Sequence, residues 1–141
     1  MATSVIPAST LAAYRQTDYR VYAPHPFTLR IGQFSQPLLE LHEQYGVRSS
    51  VVVTACNPFS RLLSSDQNAQ RQQKLVDLVE QRGWPYFCGS GQHFSGPWPA
   101  EASLLVLGVS RELAAALGRD FDQNAVVMCE ANCVPELLLL R

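Results

Sequence analysis

Three consecutive valines, Val51-Val52-Val53, within the run 49–55, constrain the fold of this chain more than any other feature. Side chains alternate between the two faces of a strand, so a strand that is apolar at every position needs cover on both. Residues 49–55 are therefore expected as an interior strand of a sheet with other elements packed on each side. A chain of 141 residues, 47% of them hydrophobic, can bury such a core without metal or disulfide staples.

The strand runs into Thr54-Ala55-Cys56-Asn57-Pro58-Phe59-Ser60, a loop leaving the end of a buried strand, where binding groups tend to collect. Upstream, residues 1–12 read as a flexible lead-in and 13–141 as one globular domain, with a short helical turn over 11–16. Two β-rich runs, 19–23 and 27–31, flank Pro24-His25-Pro26 and are expected as antiparallel neighbours. Residues 36–45 carry Leu38, Leu41 and Tyr45 at helical spacing, and Gly46 supplies the stop. His25 and His42 read as surface residues.

Ser64, with Gln67 three residues on, forms a capping-box pattern for a long helix that reaches about Arg82 and stops at Gly83. Its apolar residues fall in the second half, while the first half presents Asn68, Gln70, Arg71 and Gln72. A short strand is expected over 84–88, then an irregular stretch over 89–99 that is rich in glycine and proline. A second buried strand follows over 102–109, then a helix capped by Ser110 and ending at Gly118, and strands over 125–129 and 136–140. The order β-β-α-β-α-β-β-α-β-β indicates an α/β or α+β single domain in which a mixed β-sheet is covered by about three helices.

Eleven basic residues, of which Lys74 is the sole lysine, balance twelve acidic ones to a net charge of -1. That balance disfavours nucleic acid held by bulk charge. No apolar run approaches the ~20 residues of a membrane span, and the first sixteen residues lack a basic segment followed by an apolar core. A soluble, cytoplasmic protein is expected. Cys56, Cys88, Cys129 and Cys133 lack paired metal-ligand spacing and are expected to be reduced and mostly in the core, so no metal is assigned.

Five places carry a resemblance to a known family: Ala13-Tyr14 with Thr17-Asp18-Tyr19, the Thr54 to Ser60 loop, Asn68 with Arg71, Glu101-Ala102-Ser103, and Phe121-Asp122-Gln123-Asn124-Ala125. From about Tyr14 onward the chain resembles DUF3293, a family of small bacterial proteins of unknown function. The family pattern more often has glycine at the place of Asp122. The resemblance implies a fold and carries no activity, and Cys56 falls in an open slot of the Thr-Ala-x-Asn-Pro pattern.

The candidate ligand-binding residues are Thr54, Asn57, Ser60, Asn68, Arg71, Glu101 and Gln123. Amides, hydroxyls and a guanidinium around one loop, beside the positive end of a helix, suit a small polar or anionic ligand, nucleotide-like ones included. Set against this, Asn57-Pro58 and Ser60 are ordinary turn residues. Glu101 is expected to pair with Arg71 or Arg61, or to serve as a general base in an enzyme that uses Arg71 as an anion clamp. Cys88-Gly89-Ser90-Gly91-Gln92-His93 lacks the lysine of a phosphate loop and reads as a glycine-rich turn. A third reading is an interaction module or homo-oligomer built on Phe87, Phe94, Trp98 and the apolar segment 137–140. Cofactor, ligand identity and catalytic residues are left open by the sequence.

Overall fold

The computed structural model describes residues 4–93 and 100–141. It contains α1 (Ala8–Arg15), β1 (Thr17–Val21), β2 (Phe27–Leu29), α2 (Gln36–Tyr45), β3 (Ser50–Val53), a 3-10 turn (Pro58–Ser60), α3 (Ser65–Arg82), β4 (Tyr86–His93), β5 (Glu101–Leu107), α4 (Arg111–Asp120), β6 (Ala125–Cys129) and β7 (Glu136–Leu139). The strands form one curled seven-stranded sheet in the order β2-β1-β4-β5-β3-β6-β7. The domain is thus mixed α and β as expected, but the sheet is not mixed in direction. Every pairing is antiparallel. The valine run shows only that both faces are covered, which an antiparallel sheet between two helical layers achieves equally well.

Alternation along the strands separates two cores. Val51, Val53, Leu104, Val106, Val126 and Met128 face Leu75 and Val79 of α3 and Ala114 and Leu117 of α4. Val52, Leu105, Leu107, Val127 and Cys129 face the other way, onto Leu38 and Leu41 of α2. All four residues of β3 are buried, which accounts for its three consecutive valines.

Helix ends follow the capping chemistry. Gly46 and Gly83 take the left-handed conformation at φ 65° and 73°, and Ser64 and Gln67 form the reciprocal capping box of α3. Helix α4 runs past Gly118 to Asp120, because this glycine is a packing residue and not a stop. A Cβ built there would lie 2.5 Å from Leu140 Cδ1 and 2.6 Å from Val126 Cγ1. Helix α1 begins three residues ahead of the turn expected over 11–16 and raises the count of α-helices among the described residues to four.

Two expectations are corrected. The stretch 89–93 is not a turn but the second half of β4, paired with both β1 and β5. Gly89 belongs in this strand because any Cβ would collide with the Arg20 carbonyl oxygen. His42 is buried, its Nε2 2.8 Å from Ser50 Oγ and its Nδ1 3.6 Å from Cys133 Sγ. It follows Leu38 by four residues, which puts both on the face of α2 that meets the sheet. Cys88 is exposed, whereas Cys56, Cys129 and Cys133 are buried, and all four thiols are free.

Phe87 packs in the α2-side core, edge-on to Tyr45. Leu138 and Leu140 pack on the α3 side. Phe94 and Trp98 lie outside the described residues. No helix among the described residues is long and apolar enough to cross a membrane.

Candidate functional site

The loop after β3 is held from all sides by side chains. Thr54 Oγ1 donates to the Ala102 carbonyl (2.6 Å) and accepts from Cys56 N–H (3.0 Å). Asn57 is the hub. Its Oδ1 accepts from Leu63 N–H (2.9 Å) and Asn68 Nδ2 (2.8 Å), its own N–H donates to Asn68 Oδ1 (2.9 Å), and its Nδ2 donates to Glu101 Oε2 (2.6 Å). Asn57, Phe59 and Ser60 all have positive φ, at 47°, 52° and 61°. Left-handed backbone costs a residue with a Cβ roughly 1–2 kcal/mol, so the surrounding bonds must hold this loop in shape.

Those bonds explain the polar first half of α3. Asn68, Arg71 and Gln72 share one helix face at i, i+3 and i+4. Arg71 Nε donates to the Ala55 carbonyl and its Nη2 to the Phe121 carbonyl, both at 2.6 Å, and Gln72 Oε1 accepts from Ala55 N–H at 3.1 Å. Gln123 Nε2 reaches the carbonyls of Cys56 and Phe121, each at 3.1 Å. Arg71 and Gln123 thus splice the loop to the turn before β6. The expected ion pair of Glu101 with Arg71 or Arg61 is not formed. Arg71 is committed to two carbonyls, and Glu101 takes its hydrogen bond from Asn57.

On the α2 side of the sheet, beyond the leucines that pack on α2, the side chains become small: Gly91, Ser103 and Ala125 from three strands, with Thr17 beside them. Close packing ends there and a cavity of about 250 Å³ opens, walled by α1 through Ser9, Thr10, Ala13 and Tyr14. Thr54, Asn57, Ser60, Glu101 and Gln123 line it, five of the seven candidate residues. Asn68 lies on the far side of the loop, on a second hollow shared with Cys56. Arg71 lines neither hollow.

Tyr14 and Tyr19, absent from the candidate set, also line the cavity, and Asn124 and Arg141 extend the hydrogen-bond network behind Tyr14. Tyr14 OH and Ser60 Oγ share a 2.7 Å hydrogen bond, and Asn124 Nδ2 donates to both, at 3.1 and 3.2 Å. Arg141 donates to Asn124 Oδ1 (3.2 Å) and lies 4.0 Å above the Phe59 ring. Tyr19 OH donates to the Tyr14 carbonyl (3.0 Å), and burial raises its phenol well above the ordinary value. Tyr14 and Tyr19 occur in the first of the family-like motifs, which was the available signal.

Glu101 is the only acid lining the cavity among the described residues, and its lining contains no arginine or lysine. Burial raises the Glu101 carboxyl pKa, with the Asn57 hydrogen bond opposing. Its Oε1 has no hydrogen-bond partner among the described residues. The Cys56 thiol is pushed up by burial, which keeps it protonated and a weak nucleophile. No group of three His, Cys, Asp or Glu that could hold a metal ion occurs among the described residues.

A family model described as a protein of unknown function (DUF3293) matches residues 53–126, just over half of the chain. The match takes in the Thr54 to Ser60 loop, α3, β4, β5 and α4, and so one half of the cavity wall. Asp122 has φ 57°, the left-handed region that favours glycine and that aspartate tolerates. No curated protein and no solved structure matches the chain.

Proposed function

We propose that this chain, which belongs to the DUF3293 family, is a small-molecule-binding protein whose ligand sits in the cavity between α1, the curled sheet and the Thr54 to Ser60 loop. One observation carries the reading: small side chains from three strands leave a hollow in which a carboxyl group and two hydroxyls converge. Protein interiors are close-packed, so a hollow lined by small side chains at the end of a core departs from ordinary packing. A fold that spends small residues and buried polar groups on one hollow, and braces its rim with strained backbone, has the character of a site. The ligand has an apolar body against Val52, Val127 and Leu137 and a polar head toward Glu101, Tyr14 and Ser60. The lining supports a neutral or hydrogen-bond-donating head over an anionic one.

The test is a thermal-shift screen of neutral, basic and acidic fragments against the protein and against Ala13→Phe, which places a ring in the cavity from α1. A ligand at ~100 times its dissociation constant stabilises by about 2.7 kcal/mol. Hits that disappear in an Ala13→Phe variant of unchanged circular dichroism support the proposal. Hits that survive in that variant, or no hits at all, refute it.

A further inference from the structure

We infer that the cavity is built for an organic cation, a primary amine on a compact apolar body, held between the Tyr19 ring and the Glu101 carboxylate over Gly91. This rests on the small-molecule reading above and names its ligand class. The strand register sets the arrangement. Tyr19 pairs with Gly91 across β1 and β4, and Gly91 pairs with Glu101 across β4 and β5, so the three stand in one row. Two strand spacings, roughly 10 Å, separate an aromatic ring from a carboxylate, with no side chain between them. A Cβ at Gly91 would lie 3.6 Å from Cδ1 and Cε1 of Tyr19, so the glycine leaves that ring uncovered on the side of the cavity.

This is the chemistry of ammonium recognition. An aromatic face attracts a cation, a carboxylate neutralises it, and a partly dried wall strengthens both effects. The surrounding groups agree. Tyr19 has its hydroxyl committed to the Tyr14 carbonyl, which fixes the ring. Glu101 is held through Oε2 by Asn57, which leaves Oε1 to accept from an N–H donor. Asn57 is itself locked by Asn68 and Leu63, so the carboxylate is positioned before any ligand arrives. Among the described lining residues no arginine or lysine competes for Glu101. His93 is the other ionisable group beside this row, with Nε2 3.2 Å from Gln16 Oε1.

Benzylamine, benzyl alcohol and benzoate share one ring and differ in the head group. Their affinities, measured by calorimetry at pH 8, test the inference. Benzylamine is expected to bind about tenfold or more tighter than benzyl alcohol, and benzoate more weakly than either. In Glu101→Gln the preference for the amine over benzyl alcohol falls to within about threefold. If the alcohol or benzoate binds as tightly as the amine, the cavity is a binding site and the cation inference is wrong. If the preference persists in Glu101→Gln, the carboxylate is not its source and the inference is again wrong. If none of the three binds at millimolar concentration, the small-molecule reading fails with it.

Discussion

Arg71→Ala separates two meanings of one arginine. As an anion clamp Arg71 would be dispensable for folding, and its loss would abolish ligand binding alone. Instead its Nε and Nη2 bridge the Ala55 and Phe121 carbonyls at 2.6 Å, joining the loop after β3 to the turn before β6. A hydrogen bond from a charged donor is worth ~1.5–3 kcal/mol, so the two together come to about 3–6 kcal/mol. The side chain is only half-buried, and water can reach part of the vacated space, which brings the expected loss to about 2–4 kcal/mol. For a chain of this length that lowers Tm by roughly 6–15 °C. Urea unfolding should show a lower midpoint at unchanged m, and Arg71→Lys should recover less than half, since one ammonium cannot reproduce the two-pronged contact. A loss under about 0.5 kcal/mol would refute the bridging role.

The other predictions concern single groups whose surroundings fix a sign. The folded-state carboxyl pKa of Glu101 lies above its ordinary 4.5, so the wild type loses stability as pH rises from there through the folded value. Glu101→Gln removes that loss, and is expected to be more stable than wild type at pH 7.5 and to lose the advantage near pH 4. Equal urea midpoints for the two proteins at pH 7.5 would contradict this. Burial lowers the His42 pKa from 6.5, so the unfolded chain takes up the proton first and stability falls as pH drops below 6.5 toward the folded value. In His42→Asn the slope of stability against pH between 7 and 5 should flatten, and an unchanged slope would place its origin elsewhere. Gly118→Ala gains about 1 kcal/mol of helix propensity but forces Val126 and Leu140 aside, which costs about 1–3 kcal/mol. A net loss of about 1 kcal/mol in urea unfolding is expected, and a net gain would show that the β7 end yields freely.

Local chemistry made much of this fold legible. Gly46, Gly83, Ser64 and Ser110 are caps whose effect depends only on their neighbours, so the bounds of α2 and α3 and the start of α4 could be read directly. What depends on distant chain could not. Gly89 and Gly91 signal a turn in isolation and become strand residues only because β1 lies against them. Gly118 looks like a helix stop until Leu140 is packed on it. The polar half of α3 was visible as an anomaly, but its reason is the bare backbone of a loop that Asn68, Arg71 and Gln72 must satisfy. Five candidate residues reached the cavity because the loop and Glu101 adjoin in the sheet. Tyr14 and Tyr19 were missed as site residues because α1 meets the loop, and β1 meets β4, only in three dimensions. The cavity itself is a property of strand order. Gly91, Ser103 and Ala125 are unremarkable singly and make a hollow only when β4, β5 and β6 bring them to one face.

The most direct test of the central claim is an amide chemical-shift titration of the uniformly labelled protein with benzylamine. Saturable shifts clustered at Tyr14, Tyr19, Ser60, Gly91, Glu101, Gln123 and Ala125, and absent from Ala13→Phe, are the predicted result. Saturable shifts confined to residues away from this cavity, or none up to millimolar ligand, would contradict the assignment of the cavity as the binding site.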